Sequence, residues 1–137
     1  MIYIHIPFCK SRCLYCDFFS TTSSELKDDF VKALLKEIEG RAEELRFARA
    51  NTIYIGGGTP SQLDAKHLTD IFDALQRVAP LQDGAEVTIE CNPDDITPEF
   101  VDVLKATPVN RVSMGVQTFD DKLLRLLRRR HTSEQAH

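Results

Sequence analysis

Short β-branched runs alternate along the chain with longer runs whose apolar residues recur at helical spacing. Ile2-Tyr3-Ile4-His5-Ile6 predicts a first strand. Pro7 ends it, because proline has no N–H to give to a sheet ladder. A loop follows from Phe8 to about Thr22. Phe30, Val31, Leu34, Leu35 and Ile38 then share one helical face between Lys and Glu residues, which predicts a helix over Ser24 to Phe47 with Gly40 as its weak point. Asn51 to Ile55 predicts a second strand, ending in Gly56-Gly57-Gly58-Thr59-Pro60-Ser61. Ser61 or Asp64 is placed to cap the next helix, which carries Leu68, Ile71, Phe72, Leu75 and Val78 on one face. Pro80 and Gly84 mark its end.

The third predicted strand covers about Glu86 to Cys91. Thr97-Pro98-Glu99 then opens a short helix, a capping residue followed by proline at the first helical position. Its apolar face is Phe100, Val101 and Leu104. Arg111 to Val116 is the fourth strand, and Asp120 caps a helix with Leu123, Leu124, Leu126 and Leu127. Thr132 to Ala136 reads as the start of one more helix. The pattern is α/β: parallel βα repeats with right-handed crossovers. Four such units cannot close an eight-unit barrel, which takes about 250 residues. The expectation is a partial, TIM-barrel-like sheet over residues 1–137, the N-terminal part of a larger core whose C-terminal part is missing. In such folds ligands sit at the carboxyl ends of the strands. The cysteine loop, Gly56 to Ser61, Glu90 to Pro93 and Gln117 all fall there.

Charge changes the picture only by exclusion. The chain has 137 residues, with 17 Lys+Arg against 21 Asp+Glu and a net charge of −4. Binding nucleic-acid phosphates asks for a positive surplus, so nucleic acid is not an expected partner. No apolar run approaches the roughly 20 residues of a membrane span. Met1 to Ile6 is too short for a signal peptide. The expected location is the cytoplasm.

Cysteine usage sharpens it. Cys9, Cys13 and Cys16 fall within one short loop, and Cys91 stands alone. In a reducing compartment such a cluster reads as metal-binding or catalytic, not as disulfides. Three thiolates on one loop suit a metal centre with one position open, such as an iron–sulfur cluster. Zinc is the alternative, although a structural zinc site is closed by four ligands. His5 reads as a hydrogen-bonded core or rim residue and Cys91 as a small buried one. Gly56 to Thr59 suits close approach of backbone to a ligand or a tight strand-to-helix turn. It lacks the lysine of a phosphate-binding P-loop.

Cys9-x3-Cys13-x2-Cys16, with Tyr15 before the third cysteine, is similar to the cluster motif of radical S-adenosylmethionine enzymes. Tyr3-Ile4-His5-Ile6-Pro7-Phe8-Cys9 resembles the branch that contains oxygen-independent coproporphyrinogen III oxidase and the heme chaperone HemW. The resemblance continues through Gly56 to Ser61, Glu90-Cys91-Asn92-Pro93 and Ser113 to Phe119, and reaches Arg129-x-His131. It implies that Cys9, Cys13 and Cys16 hold a [4Fe-4S] cluster whose open iron is chelated by S-adenosylmethionine. Reduction would release a 5′-deoxyadenosyl radical. It also implies that Tyr3, Tyr15, Gly57, Gly58, Thr59, Glu90, Gln117 and Arg129 contact that cofactor. For Arg129 a second reading stays open, because Arg125, Arg128, Arg129 and Arg130 form a run of the kind that usually lies on a solvated face.

The oxidase branch has a further cysteine two residues after the third, where this chain has Phe18. That departure argues against porphyrinogen decarboxylation. The resemblance therefore implies a heme chaperone that carries heme to an acceptor protein, with the heme site in later segments. His67 and His131 are read as surface residues and not as heme ligands. The alternatives are a radical oxidoreductase acting on a porphyrinogen and a non-catalytic α/β metal-binding domain. An uncovered sheet edge predicts self-association of this chain.

Overall fold

A computed structural model describes residues 1–48 and 51–137. Four parallel strands form one sheet: β1 (Ile2–Ile6), β2 (Thr52–Gly57), β3 (Glu86–Cys91) and β4 (Arg111–Met114). Their spatial order follows the chain, β1-β2-β3-β4. A sequential order with no reversal is that of a barrel segment, whereas a doubly wound sheet reverses at a switch point. Helices α1 (Lys27–Gly40) and α2 (Ala42–Phe47) link β1 to β2. Helix α3 (Ala65–Val78) links β2 to β3, and α4 (Pro98–Lys105) links β3 to β4. Short helices α5 (Asp121–Leu126) and α6 (Ser133–Ala136) follow β4.

Register puts like with like on each face of the sheet. Ile2, Ile4, Ile53, Ile55, Val87 and Ile89 pair across strands and are buried beneath the helices. Helix α3 adds Leu68, Ile71, Phe72 and Leu75 to that layer, and α1 adds Val31 and Ile38. Truncating a fully buried residue such as Ile55 to alanine costs about 2–5 kcal/mol, so this layer fixes the strand ends above it. The opposite face is polar. Tyr3, Tyr54, Thr88 and Arg111 form one row across it, with Glu90 beside Ser113 toward the carboxyl ends.

Three local departures from the sequence reading have physical causes. The helix expected over Ser24 to Phe47 is a 3₁₀ turn (Ser24–Leu26) and two helices. It breaks after Gly40, where Arg41 takes φ −100° and ψ 18° and pairs with Glu37 and Glu44. Strand β4 ends at Met114, two residues early, because Thr118 N–H turns back to the Val116 carbonyl at 2.8 Å. Neither expected cap of α3 makes a capping bond. Asp64 occupies the N-cap position without one, and Ser61 donates its hydroxyl to Asp95. Thr97, Asp120 and Thr132 do cap their helices.

Candidate functional site

The carboxyl ends of all four strands surround a cavity of about 340 Å³. Its wall on the β1 side is the cysteine loop. The loop is pinned at its base, where Cys9 N–H donates to the Thr21 carbonyl at 2.9 Å and Thr21 N–H to the Pro7 carbonyl at 2.7 Å. Phe8 is buried there, edge-on to Phe30 at 5.4 Å between ring centroids. Farther out, Leu14 N–H reaches the Leu127 carbonyl at 3.2 Å. Cys9, Cys13 and Cys16 are free and half-buried, and all three line the cavity together with Tyr15 and Phe18.

The glycine run forms the second wall. Gly58 N–H donates to the Ile6 carbonyl at 2.8 Å, and Thr59 N–H to the Phe8 carbonyl at 2.7 Å. These bonds lay the turn directly against the cysteine loop. A Cβ on Gly58 would stand 2.8 Å from the Pro7 carbonyl carbon, which cannot move aside. Gly57 has φ +113°, where a Cβ would also meet the His5 ring at 2.6 Å. Glycine is required at both positions.

Strands β3 and β4 supply the polar groups. Glu90 accepts from the Tyr54 hydroxyl at 2.6 Å and from Gly57 N–H at 3.1 Å, so both carboxylate oxygens are fixed. Tyr3 stacks on Tyr54 at 6.1 Å. Tyr3 does not line the cavity; it lies on a separate depression beside β1, against His5 and α1. His5 donates its Nε2–H to the Phe19 carbonyl, 2.8 Å away, and is a rim residue. Gln117 has φ +67° and sits at the centre of the tight turn after β4. That is the rarer, strained hand of a γ-turn, held at a cavity position.

Arg129 is turned inward. The chain leaves α5 with Arg128 in the left-handed region at φ +55°, Arg128 N–H bonded to the Arg125 carbonyl and Arg129 N–H to the Leu124 carbonyl. This is a Schellman motif with arginine where glycine is usual. It delivers the Arg129 guanidinium to three acceptors: Cys13 Sγ at 3.3 Å, Asn92 Oδ1 at 2.7 Å and the Gly115 carbonyl. Asn92 in turn donates to Thr59 Oγ1 at 3.3 Å, and Thr59 donates to Cys9 Sγ at 3.5 Å. A continuous polar chain thus joins Cys9 to Cys13 across the ends of β2 and β3.

Several groups here escape a reading of the sequence. Asp95, whose side chain is 2 % exposed, accepts from Lys10, Ser61 and Gln62 and faces Arg130. Burial works against its charge, but the Lys10 and Ser61 hydrogen bonds and the Arg130 guanidinium hold its carboxyl below the usual range. Burial pushes the Cys91 thiol up to about 12, so this cavity cysteine stays protonated. Burial first, and Arg129 second, hold the His131 imidazole below its ordinary value. His131 and His67, expected on the surface, are both buried. His131 bonds the Val116 carbonyl at 3.1 Å, and His67 bonds Asp28 at 2.9 Å between α1 and α3. Each stands among mostly polar neighbours, so the sequence marks it as a surface residue. Of the arginine run, Arg125 and Arg128 are exposed as expected, while Arg129 and Arg130 are not.

The donor set suits an iron–sulfur cluster. Three free thiols occupy one cavity wall, with a guanidinium hydrogen-bonded to one of them. Arg129 Nε and His131 Nδ1 are buried without a partner at the same end of the sheet. Among the described residues, no three His, Cys, Asp or Glu side chains gather closely enough to share one ion. A cluster differs from a single ion in giving each thiolate its own iron.

Comparison with known proteins shows the family. A family model described as "Radical SAM superfamily" matches residues 3–136. The chain is 41 % identical over 137 residues to "Heme chaperone HemW" of Lactococcus lactis subsp. lactis, covering 98 % of this chain and 35 % of that protein. Against the protein of the same name in Bacillus subtilis, identity is 42 % over 131 residues, covering 94 % and 35 %. A solved structure described as "Coproporphyrinogen III oxidase (HemN) from Escherichia coli is a Radical SAM enzyme" superposes with a TM-score of 0.89 at 32 % identity, over 98 % of this chain and 32 % of that one. The chain therefore spans about a third of the length of the curated relatives it matches.

Proposed function

The chain belongs to the radical S-adenosylmethionine superfamily, and on that premise we propose that it is the cofactor-holding part of a heme chaperone of the HemW type. Membership implies an iron–sulfur cluster and S-adenosylmethionine. The observation that carries the reading is the convergence of Cys9, Cys13 and Cys16 with Gly57, Gly58, Thr59, Glu90, Gln117 and Arg129 on one cavity. In this reading the three cysteines hold a [4Fe-4S] cluster as thiolates. When bound, cluster and cofactor supply reductive cleavage of a sulfonium, chemistry that belongs to them and not to the protein.

The chain's own residues bind and orient. The backbone at Gly57 to Thr59 lets the cofactor approach closely. Glu90 offers a preorganised carboxylate to an ammonium group or ribose hydroxyls. Gln117 offers both a donor and an acceptor. Arg129 offers a planar guanidinium to a carboxylate, and Tyr15 lines the cavity beside the cysteines. Tyr3 acts at one remove, through Tyr54, on the setting of Glu90.

Heme as cargo, and an acceptor protein for it, are supported by the relatives named heme chaperone. They are supported too by Phe18, a cavity residue where the oxidase branch has a cysteine. A cytoplasmic location agrees with a cysteine cluster read as metal-binding and not as disulfides; among the described residues no helix is long and apolar enough to cross a membrane. Val112 and Met114 stand exposed on β4 at the sheet edge, which supports self-association of this chain there. The likeness to HemN favours a second reading, oxidation of a porphyrinogen. One preparation separates the two. Protein of the relatives' length is titrated with heme and then assayed for coproporphyrinogen III decarboxylation. Heme binding without decarboxylation is expected. Decarboxylation would favour the oxidase.

A further inference from the structure

Four segments meet at Asp95; none of its partners is a cysteine, and Arg130 is the one that also lines the cavity. Lys10, the residue after Cys9, donates to Asp95 Oδ1 at 2.7 Å. Ser61 and Gln62, in the turn after the glycine run, donate to Oδ2 at 2.7 and 2.8 Å. Arg130, next to Arg129, lies 3.4 Å from Oδ1. Asp95 itself ends the 3₁₀ turn Pro93–Asp95 that follows β3. One buried carboxylate thus ties the cysteine loop, the second strand end, the third strand end and the segment carrying Arg129.

We propose that Asp95 is a positioning residue that clamps the cysteine loop against the other strand ends and so presets where Cys9 and Cys13 stand. The loop's other ties are backbone bonds at Cys9, Thr21 and Leu14, the Thr59 hydroxyl on Cys9 Sγ, Arg129 on Cys13 Sγ and His5 on the Phe19 carbonyl. Between base and tip, Lys10 to Asp95 is the ion pair that reaches across to the sheet. Lys10 is 53 % exposed and free to swing into water, whereas Asp95 is 2 % exposed and fixed by two neutral donors. The fixed partner therefore sets the position of the mobile one. A charge-assisted bond to a buried carboxylate is stronger than a surface ion pair. The inference rests on the cofactor reading above only for its consequence, ready assembly of a cluster. The clamp itself is a property of the iron-free chain.

The test uses the four cysteines as reporters. Iron-free protein is alkylated under native conditions, and the rate at each cysteine is read by peptide mass spectrometry. The variants are Asp95→Asn and Lys10→Met; the second alters a half-exposed side chain and keeps the buried carboxylate paired with Arg130. In both variants Cys9 and Cys13 are expected to react about tenfold faster, the change that loss of one charge-assisted hydrogen bond allows. Cys91, 4 % exposed, is expected to keep its rate in Lys10→Met, where Asp95 keeps its charge. Unchanged rates at Cys9 and Cys13 would overturn the clamp. So would an equal rise at all four thiols, which would mean general loosening of the fold. Iron uptake by the unaltered chain is measured alongside. Failure to take up iron would sink the cofactor reading and leave the clamp standing, so the two failures are distinguishable.

Discussion

Arg129 Nη1 donates to Cys13 Sγ across 3.3 Å, joining residues 116 positions apart. The same guanidinium holds Asn92 and the Gly115 carbonyl. Arg129 is therefore oriented before any ligand arrives, with N–H groups to spare, which makes it a preorganised cation at the cysteine loop. Lysine keeps the charge but cannot span three acceptors. Arg129→Lys in reconstituted protein is expected to weaken S-adenosylmethionine binding by about 10- to 100-fold, the worth of one lost hydrogen bond between charged groups. Calorimetric titration measures it. Unchanged affinity would put Arg129 outside the cofactor site.

Glu90 makes a second, separable test. Tyr54 and the Gly57 amide hold its two oxygens, so its charge and one of the bonds that orient it can be removed separately. Glu90→Gln removes the charge, and Tyr54→Phe removes only one of the bonds that set direction. Cofactor affinity is expected to fall by about tenfold or more for the first and by less for the second. Equal losses would mean that Glu90 serves only to brace the strand ends.

The Arg128 backbone carries strain that glycine would relieve. At φ +55° a non-glycine residue pays roughly 1–2 kcal/mol, while glycine adds unfolded-state entropy of about 0.5–1 kcal/mol. Arg128→Gly is therefore expected to leave the melting temperature unchanged or raise it by a few degrees. Gly57→Ala, at φ +113° and against the His5 ring, is expected to lower stability by about 1–3 kcal/mol. A fall in melting temperature for Arg128→Gly would mean that the Arg128 side chain itself holds the C-terminal segment.

His131 predicts an acid-sensitive step. Its folded-state pKa lies below the unfolded value because of burial and Arg129. As pH falls through about 6.5 the unfolded chain takes a proton that the folded one resists, so stability declines. The loss is complete once pH passes below the folded value. The unaltered chain is expected to melt earlier at pH 5.5 than at 7.5, and His131→Asn, which keeps a donor for the Val116 carbonyl, to show a shallower slope. Identical slopes would assign the acid sensitivity elsewhere. Asp95 works in a lower window, since its depressed pKa protects it until below the ordinary carboxylate range.

The strands and the convergence of their ends were legible because alternation and helical spacing are local signals. So were Cys9, Cys13, Cys16, Glu90 and Gln117, each of which ends or follows a strand. Asp95 was not, because its partners Lys10 and Ser61 lie 85 and 34 positions away. The inward turn of Arg129 was not, because nothing in a run of arginines marks which one follows a left-handed residue. His67 and His131 looked like surface residues because each stands among polar neighbours. Only the packing of α1 on α3, and of the C-terminal segment on the β4 turn, buries them.

Anaerobic reconstitution with iron and sulfide tests the central claim most directly. Iron per chain is counted, and the EPR spectrum is recorded with and without S-adenosylmethionine. The account predicts about four irons, the number in a [4Fe-4S] cluster, a spectrum that S-adenosylmethionine perturbs, and loss of both in Cys13→Ser. Equal iron uptake by Cys13→Ser, or a cluster spectrum indifferent to S-adenosylmethionine, would contradict it.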